Sequence, residues 1–374
     1  MAAPMSLKIC ARWILKSGNI SRFQASRAPF LEFRYFSSIP SCKSLVYDKY
    51  GDPVKVLKLV KNPVPEVYDD SVLIKMIASP INPADINSIQ GIYPIKPDFP
   101  AVAGFEGVGE IQEVGSNVKQ LLPGERVIFP ASVTGTWCSH LVCPASQVMV
   151  VPNDTPPLVA ATVKVNACTA YRMLADFENL REGDTVIQNA ANSGAGQAVI
   201  QIAAARGLKT INIVRDRPNL TELTDYLHDL GATVVTTEGD LRKSASTLLK
   251  DLPKPKLALN AVGGKSIIAL VKQIQDAGTI VTYGGMSKQP VMVPTGSLIF
   301  NDLKFKGFWM SRWHQQHAGS EEARQMFDQL CRWGGSGQLR APQHRLVDIE
   351  DYRSALEKSL GEYSTEKQIL TFGS

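Results

Sequence analysis

The sequence is most informative at one short stretch, Asn189-Ala190-Ala191-Asn192-Ser193-Gly194-Ala195-Gly196-Gln197. A strand candidate over 184–190 (DTVIQNA) leads into it, and a helical pattern over 194–206 follows. Small residues between a strand and a helix let the backbone pass close to a pyrophosphate, and free N–H groups at the helix N-terminus favour an anion. The stretch predicts a dinucleotide-binding turn with contacts from Asn192, Ser193, Gly194, Ala195 and Gly196.

This turn departs from the strict pattern G-x-G-x-x-G. Aligned on the last glycine, its three positions are Ala191, Ser193 and Gly196, with Gly194 beside them. The third glycine, which permits close packing of the helix on the strand, is retained. The alternative is an ordinary strand-to-helix turn, and the pattern on either side of the turn weighs against it.

On both sides, strand and helix patterns alternate. Further strands are predicted at 209–214, 233–236, 256–260, 278–283 and 304–310. Helices are predicted at 194–206, 220–230, 240–250 and 265–276. Strands alternating with helices of about ten residues or more are typical of βαβ units, so we expect a doubly wound parallel sheet over residues 161–311.

The end of the second strand bears on the choice of dinucleotide. The sequence there is Val214-Arg215-Asp216-Arg217, where an adenine ribose is expected. Asp216 suits the ribose 2′-hydroxyl of NAD, whereas Arg215 and Arg217 suit the 2′-phosphate of NADP. Two guanidinium groups outweigh one carboxylate, which favours NADPH, although a solvated cluster of charges is the alternative.

The chain before residue 161 has a different pattern. Short apolar runs at 44–47, 72–77, 107–114, 126–129 and 147–151 are separated by turn residues. This spacing predicts a β-barrel-like domain over 44–160. The tail, 312–374, holds helix patterns at 320–333 and 349–358 and a strand pattern at 368–372, and we expect it to complete that domain.

Charge and composition exclude several classes of function. Residues 1–36 carry six basic side chains and one acid, which accounts for the whole formal charge of +5. The near-neutral remainder argues against nucleic-acid binding, and no apolar run is long enough for membrane insertion. The basic, acid-poor leader is typical of a mitochondrial transit peptide ending near Phe36, so we expect a location in the matrix. A tail with scattered arginines is the alternative.

The six cysteines do not form a metal-binding pattern. None of them makes a C-x-x-C pair; Cys138 and Cys143 lie five residues apart with His140 between them, and no second pair follows. A structural zinc site usually shows closely spaced pairs. We predict reduced, buried thiols and no metal.

The chain resembles the zinc-free, quinone oxidoreductase-like branch of the medium-chain dehydrogenase/reductase superfamily. The resemblance rests on 104–109 (GFEGVG), 114–116 (VGS), 123–127 (PGERV), 167–171 (ACTAY) and the turn. It implies a GroES-like β-barrel catalytic domain with a Rossmann-type nucleotide-binding domain. Zinc alcohol dehydrogenases of the superfamily carry a histidine ligand where this sequence has Phe105, which cannot bind metal.

Within the superfamily, the sequence resembles the mitochondrial trans-2-enoyl-CoA reductases. The similar segments are 81–87 (INPADIN), 90–93 (QGIY), 188–197, 214–218, 283–286 (YGGM) and 307–309 (GFW). The resemblance implies reduction of the 2,3-double bond of a 2-enoyl thioester by NADPH, in mitochondrial fatty acid synthesis. It implies Tyr93 as the catalytic proton donor; without the resemblance, Tyr93 would be expected to pack its ring on the barrel.

The same resemblance implies further cofactor contacts, namely Asn166, Tyr283, Gly284, Gly285, Met286, Phe308, Trp309, Met310, Ser311 and Lys367. On sequence alone, Trp309 could equally be a core residue and Lys367 a solvated surface lysine. Lys304, Lys306 and Arg312 lie near the 307–309 segment and could meet the anionic carrier, either coenzyme A or acyl carrier protein. Residues 290–294 (PVMVP) resemble the edge strand through which superfamily members pair, which predicts a homodimer.

Two other functions remain open at this point. An NADPH-dependent quinone or alkenal reductase would use the same scaffold. A binding protein, for RNA or a transcription partner, would keep the fold without the chemistry, but the retained Tyr93 and phosphate turn argue against that loss.

Overall fold

The computed structural model describes residues 41–130, 135–361, 363 and 366–373. The transit peptide expected at residues 1–36 lies outside the described residues. The strands are β1 (Ser41–Tyr47), β2 (Lys58–Pro63), β3 (Ser71–Pro80), β4 (Ala101–Val102), β5 (Val108–Val114), β6 (Arg126–Ile128), β7 (His140–Pro144), β8 (Met149–Val150), β9 (Thr185–Gln188), β10 (Lys209–Val214), β11 (Val234–Thr237), β12 (Leu257–Asn260), β13 (Thr279–Thr282), β14 (Lys304–Gly307), β15 (His344–Asp348) and β16 (Lys367–Thr371).

The helices are α1 (Pro53–Val56), α2 (Pro83–Ile89), α3 (Pro157–Thr162), α4 (Cys168–Asp176), α5 (Gly194–Ala205), α6 (Leu220–Asp229), α7 (Glu238–Leu248), α8 (Ile267–Val271), α9 (Thr295–Ile299), α10 (Met310–Gln316), α11 (Glu321–Gly335) and α12 (Tyr352–Leu360). A π-helix, Val163–Ala167, joins α3 to α4. Most of the helices and strands confirm the patterns in the sequence, with ends that differ by a few residues.

The second half of the chain forms the predicted parallel sheet. Its six strands lie in the order β11-β10-β9-β12-β13-β14, and every pairing is parallel. All four residues of β9 and of β12 are buried, as expected for strands covered by helices on both faces. The strand order reverses between β9 and β12, which is where open α/β sheets bind ligands.

Two predictions in this half are wrong in their extent. The helix expected over 265–276 is limited to a short 3₁₀ turn and α8, because the N–H of Gln275 donates to the carbonyl of Pro255 and not to its own helix. The strand expected to reach Met310 ends at Gly307. Phe308 makes the last bond to the sheet, through Thr282, and Trp309 then caps α10.

The first half forms two sheets around a separate core. One sheet has the order β2-β1-β4, and the other has the order β15-β16-β3-β5-β6-β8, with β7 paired to β3. The tail returns to this half, since β16 pairs antiparallel with β3. Side chains of the tail, including Tyr352 and Leu370, belong to the core that Leu45, Ile74 and Trp137 also form.

The segment 290–294 forms no strand in this single chain, and the edge strand between subunits that the sequence suggested stays a prediction. It lacks a neighbouring strand to complete a ladder, and Val291, Met292 and Val293 are exposed. Within the described residues, none of the helices combines the length and apolar character that a membrane span would need.

Candidate active site

A continuous cleft runs between the two halves of the molecule. It is lined by the loop after α2, the π-helix, the turn before α5, the ends of β10 and β13, the start of α10 and the start of β16. Of the residues predicted as site residues, all but Gly196 and Arg217 line this cleft. The fold therefore brings together side chains that are far apart in the sequence.

The phosphate turn has the geometry that the sequence predicts. Ser193 is the N-cap of α5, and its side chain accepts a hydrogen bond of 3.1 Å from the N–H of Gly196. A Cβ on Gly196 would lie only 2.6 Å from the carbonyl oxygen of Ala191. Glycine is thus required at position 196 for close packing of α5 on the turn, and the N-terminus of α5 opens into the cleft.

Arg217 carries the strongest sign of an anion-binding site. Its side chain is 5% exposed, and all three guanidinium nitrogens lack a hydrogen-bond partner. Burial, together with the nearby positive charge of Arg215, lowers the pKa of Arg217. A buried guanidinium group without a partner is costly unless an anion satisfies it. Arg215 and Asp216, in contrast, are exposed.

Tyr93 lies across the cleft from the turn, in a loop with a fixed backbone. The carbonyl of Asn87 accepts hydrogen bonds from the N–H groups of both Ile92 and Tyr93. Gly91 has a φ of 77°, and a Cβ there would lie 2.7 Å from the ring of Tyr50. Function-bearing loops are often held by a rigid scaffold in this way, and here the result is a defined position for the phenol.

The hydroxyl of Tyr93 has two polar neighbours from the start of α10. The indole N–H of Trp309 donates to the tyrosine oxygen at 2.7 Å, and the hydroxyl of Ser311 lies at 3.1 Å. Because the indole can only donate, the proton of the phenol is free to point at Ser311 or at a ligand. The ring of Phe105 packs against Tyr93 with centroids 5.7 Å apart, so the residue at the position of the zinc-binding histidine supports the tyrosine.

A buried polar network lies beneath the turn, and sequence reasoning missed its centre, Asn82. The Asn82 side chain accepts a 2.6 Å bond from the Lys367 ammonium and donates a 2.7 Å bond to Glu106. Asn166 contacts the same oxygen at 3.4 Å. Asn82 thus connects the loop before α2, the π-helix and β16.

The charges in this network have shifted pKa values. Burial raises the pKa of Asp85 to about 7 and raises that of Glu106, while burial lowers the pKa of Lys367. Asp85 accepts from the backbone N–H of Asn82 at 2.8 Å, which fixes that residue. The two carboxyl groups share one ammonium group, and Oδ1 of Asp85 has no hydrogen-bond partner among the residues that the structure describes, which agrees with the raised pKa values of the acids.

The π-helix places two further residues in the cleft. Asn166 lies against the turn, since a Cβ on Gly194 would be 2.7 Å from the Asn166 amide oxygen. The ammonium of Lys164 donates to the carbonyl of Phe105 at 2.8 Å, and burial lowers the pKa of Lys164 to about 8. Single-turn π-helices inside α-helices are frequent at functional sites.

His314 was also missed. It is 5% exposed, its Nε2 lies 3.2 Å from the carbonyl of Lys164, and burial lowers its pKa to about 4. Lys164 had one signal in the sequence, a charged residue inside the apolar run 159–165. Asn82, Glu106 and His314 had no comparable signal, because their partners are distant in the chain.

The other predicted residues differ in their surroundings. Burial raises the pKa of Tyr283 to about 12, Phe308 packs edge-on against Phe177, and Met286 is 61% exposed at the mouth of the cleft. Met310 is 7% exposed and joins the hydrophobic core, so its side chain has a packing role as well as a place in the cleft wall. In the part of the chain that the structure describes, no group of three or more His, Cys, Asp or Glu residues could hold a metal ion.

Comparison with known families matches both halves of the chain. The alcohol dehydrogenase GroES-like domain matches residues 68–153, and the family described as zinc-binding dehydrogenase matches residues 194–330. A curated relative, the mitochondrial enoyl-[acyl-carrier-protein] reductase of Rattus norvegicus, is 47% identical over 370 residues, which cover 99% of this chain and 96% of the relative. The Arabidopsis thaliana enzyme of the same name is 43% identical, covering 96% and 97%.

Solved structures of 2-enoyl thioester reductases also resemble this chain. The Etr1p/NADP/crotonyl-CoA complex superposes with a TM-score of 0.82 at 30% identity, covering 89% of this chain and 100% of that one. The mitochondrial 2-enoyl thioester reductase Etr1p/Etr2p heterodimer from Candida tropicalis has a TM-score of 0.81 at 31% identity, with the same coverage. Escherichia coli quinone oxidoreductase in complex with NADPH has a TM-score of 0.76 at 21% identity over 88% of this chain and 99% of that one, a likeness of fold alone.

Proposed function

This chain belongs to the mitochondrial enoyl-[acyl-carrier-protein] reductases of the medium-chain dehydrogenase/reductase superfamily, and we propose on that premise how it acts. It is an NADPH-dependent oxidoreductase that reduces the 2,3-double bond of 2-enoyl thioesters in mitochondria. One observation carries the assignment of its chemistry. The Tyr93 hydroxyl, positioned by Trp309 and Ser311, faces the same cleft as the phosphate turn.

The residues present fit NADPH. The N-terminus of α5 and the glycines of the turn suit the pyrophosphate, and the buried, unpartnered Arg217 suits the 2′-phosphate, together with Arg215. Asn166 and Lys367 lie beside the turn and complete the site toward the nicotinamide end. The wall of the cleft there is formed by the remaining predicted residues, Tyr283, Gly284, Gly285, Met286, Phe308, Trp309, Met310 and Ser311.

The protein supplies the proton for the reaction and holds the proton donor in place. When bound, NADPH supplies the hydride that reduces C3 of the enoyl group. Tyr93 holds a proton for C2 and donates it as a general acid. The Trp309 N–H, which already donates to the Tyr93 oxygen, stabilises the negative charge left on that oxygen.

The test of this function is a spectrophotometric assay of NADPH oxidation with crotonyl-CoA, with NADH as the comparison cofactor and a quinone as the comparison substrate. We expect turnover of the enoyl thioester, with NADPH preferred. Turnover of the quinone with none of crotonyl-CoA would support the quinone reductase alternative, which shares the scaffold, and would overturn the proposal.

The carrier end of the substrate is proposed to meet basic residues next to α10. Lys304, Lys306 and Arg312 are exposed, and the guanidinium of Arg312 lies 5.4 Å from the ring centroid of Trp309. Positive charge at this place suits the phosphates of coenzyme A or the acidic surface of acyl carrier protein. Arg312→Glu is expected to raise the KM for the thioester and to weaken its salt dependence; an unchanged KM would remove Arg312 from the carrier site.

A homodimer is proposed from an apolar surface next to the nucleotide-binding sheet. Val291, Met292 and Val293 are 38%, 46% and 37% exposed, and Ile299 and Phe300 are 66% and 81% exposed. Exposed apolar groups in one patch are typical of protein interfaces. Sedimentation of the wild type as a dimer and of Phe300→Glu as a monomer would support this surface, whereas a monomeric wild type would refute it.

The remaining proposals concern location and boundaries. The acid-poor leader supports a location in the mitochondrial matrix, with residues 1–36 removed. The pairing of β16 with β3 supports a catalytic domain of residues 44–160 completed by 312–374, with the nucleotide-binding domain at 161–311. Mass spectrometry of the protein purified from the matrix would give the processed N-terminus.

A further inference from the structure

Tyr363 lies over the two arginines at the end of β10. Its ring centroid is 5.0 Å from Cζ of Arg215 and 5.5 Å from Cζ of Arg217. Both distances lie within the range of a cation–π interaction, which is about 6 Å. The side chain is 45% exposed, and its backbone has a φ of 55°, which is uncommon for a bulky residue.

The electrostatics of the arginine pair explain why an aromatic ring belongs there. Two guanidinium groups lie near one another, and Arg217 is buried with no hydrogen-bond partner for its nitrogens. After the larger effect of burial, the positive charge of Arg215 lowers the pKa of Arg217 further. The face of the ring offers both cations a favourable contact.

We propose that Tyr363 is a specificity-determining residue that strengthens binding of the 2′-phosphate of NADPH and so sets the preference for NADPH over NADH. This inference rests on the proposed function, because it takes the arginines as the 2′-phosphate site. The ring holds the two guanidinium groups in place before the phosphate binds. It also shields their bonds to the phosphate from solvent. Charge-assisted hydrogen bonds are stronger away from water.

The effect of Tyr363 is confined to the phosphate. Tyr363 does not line the cleft that the turn and Tyr93 share. Lys367, four residues further along, makes separate contacts with Asn82 and the carbonyl of Ile81. NADH has no 2′-phosphate, so its affinity measures the rest of the site and serves as an internal control.

The experiment measures dissociation constants of the full chain by calorimetry, for the ligand pairs NADPH with NADH and 2′,5′-ADP with 5′-AMP. Tyr363→Ala and Tyr363→Leu are expected to weaken NADPH and 2′,5′-ADP by about 3- to 10-fold and to leave NADH and 5′-AMP unchanged. Tyr363→Phe keeps the ring and is expected to stay within about 2-fold of the wild type. Leu122→Ala, which removes a side chain that is 63% exposed and lies outside the cleft, is the control and is expected to change none of the four constants.

Three results would overturn the inference. An unchanged ratio of NADPH to NADH affinity in Tyr363→Ala would show that the ring plays no part in selection. An equal loss for both cofactors would show a structural role. A loss in Tyr363→Phe as large as in Tyr363→Ala would assign the effect to the hydroxyl. If the wild type bound no NADPH at all, the proposed function itself would fail, a result that is distinct from these three.

Discussion

The two ends of the cleft are built in different ways. The phosphate end is made of neighbouring residues, since 189–197 and 214–217 follow two adjacent strands of one sheet. The end around Tyr93 is assembled from distant segments, since Tyr93 and Trp309 are 216 residues apart. The first end offers a backbone and two cations to a bound anion, whereas the second offers a phenol with an indole donor.

This difference predicts that the phosphate end determines affinity and the Tyr93 end determines rate. Changes at the phosphate end should alter the affinity for NADPH and leave the rate at saturation intact. Changes around Tyr93 should alter the rate and leave the affinity intact, because interactions made only in the transition state affect kcat. A substitution at one end can therefore serve as a control for a substitution at the other.

The largest effect is expected for Tyr93→Phe. Loss of a general acid typically costs a factor of about 10²–10⁴ in rate, or about 3–5 kcal/mol. The dissociation constant of NADPH should stay within about 2-fold of the wild type, since the ring and its contact with Phe105 are kept. Stopped-flow single turnovers would give the rate and fluorescence titration the affinity; an unimpaired rate would remove Tyr93 from the mechanism.

The next effect concerns the pH dependence of stability, through His314. Its pKa is about 4 in the folded protein and 6.5 as an ordinary histidine, so the folded state binds fewer protons between these values. Stability is therefore lost as the pH falls from about 6.5 to about 4, by about 3 kcal/mol from this group alone. Asp85, whose pKa is raised to about 7, acts in the opposite direction over an overlapping range.

Chemical denaturation of the wild type and of His314→Gln at pH 7 and at pH 4.5 isolates the histidine. The variant should lose less stability than the wild type on acidification, because glutamine does not titrate, and it can still donate to the carbonyl of Lys164. Equal losses in the two proteins would mean that His314 is not held neutral in the fold.

A smaller effect is expected at the phosphate end. Arg217→Met should weaken NADPH by about 2 kcal/mol, roughly 30-fold, because charge-assisted bonds to the phosphate are lost, and should leave NADH unaffected. It should also raise the melting temperature of the free protein, since a buried guanidinium group without a partner is removed. Calorimetry and thermal melts measure both; a lower melting temperature would show that Arg217 is satisfied in the free protein.

The smallest effect is expected for Trp309→Phe. The change removes the 2.7 Å hydrogen bond to the Tyr93 oxygen, which gains negative charge as the proton leaves, and should cost about 1.5 kcal/mol, or roughly 10-fold in kcat. The variant should lose nothing further when Tyr93 is already phenylalanine, because the two groups act together. Additive losses in the double variant would show that the indole acts independently of the tyrosine.

The same contrast explains what the sequence could predict. The turn, the strand Lys209–Val214 and the start of α5 at Gly194 are local, and the sequence patterns predict them correctly. Gly196 shows this, because its place in the motif is enough to predict that α5 packs closely on the turn. Tyr93 was predicted only through a family resemblance, because a tyrosine in a loop has no distinguishing pattern of its own.

The buried network was beyond sequence reasoning for a physical reason. Asn82 takes part in bonds with Glu106, Asn166 and Lys367, and these partners meet only after β16 has paired with β3. The early end of α8 has the same origin, since the N–H of Gln275 is used by the carbonyl of Pro255. In each case a long-range contact overrides the local pattern.

The central claim is that a single cleft holds the nicotinamide nucleotide at the turn and the enoyl thioester beside Tyr93. It is tested most directly by tracing both hydrogens in the product formed from crotonyl-CoA. With NADPH that carries deuterium at the transferable position, the account predicts deuterium at C3 of the butyryl product, and in heavy water it predicts solvent deuterium at C2. A product with no deuterium from the cofactor, or with cofactor deuterium at C2, would contradict it.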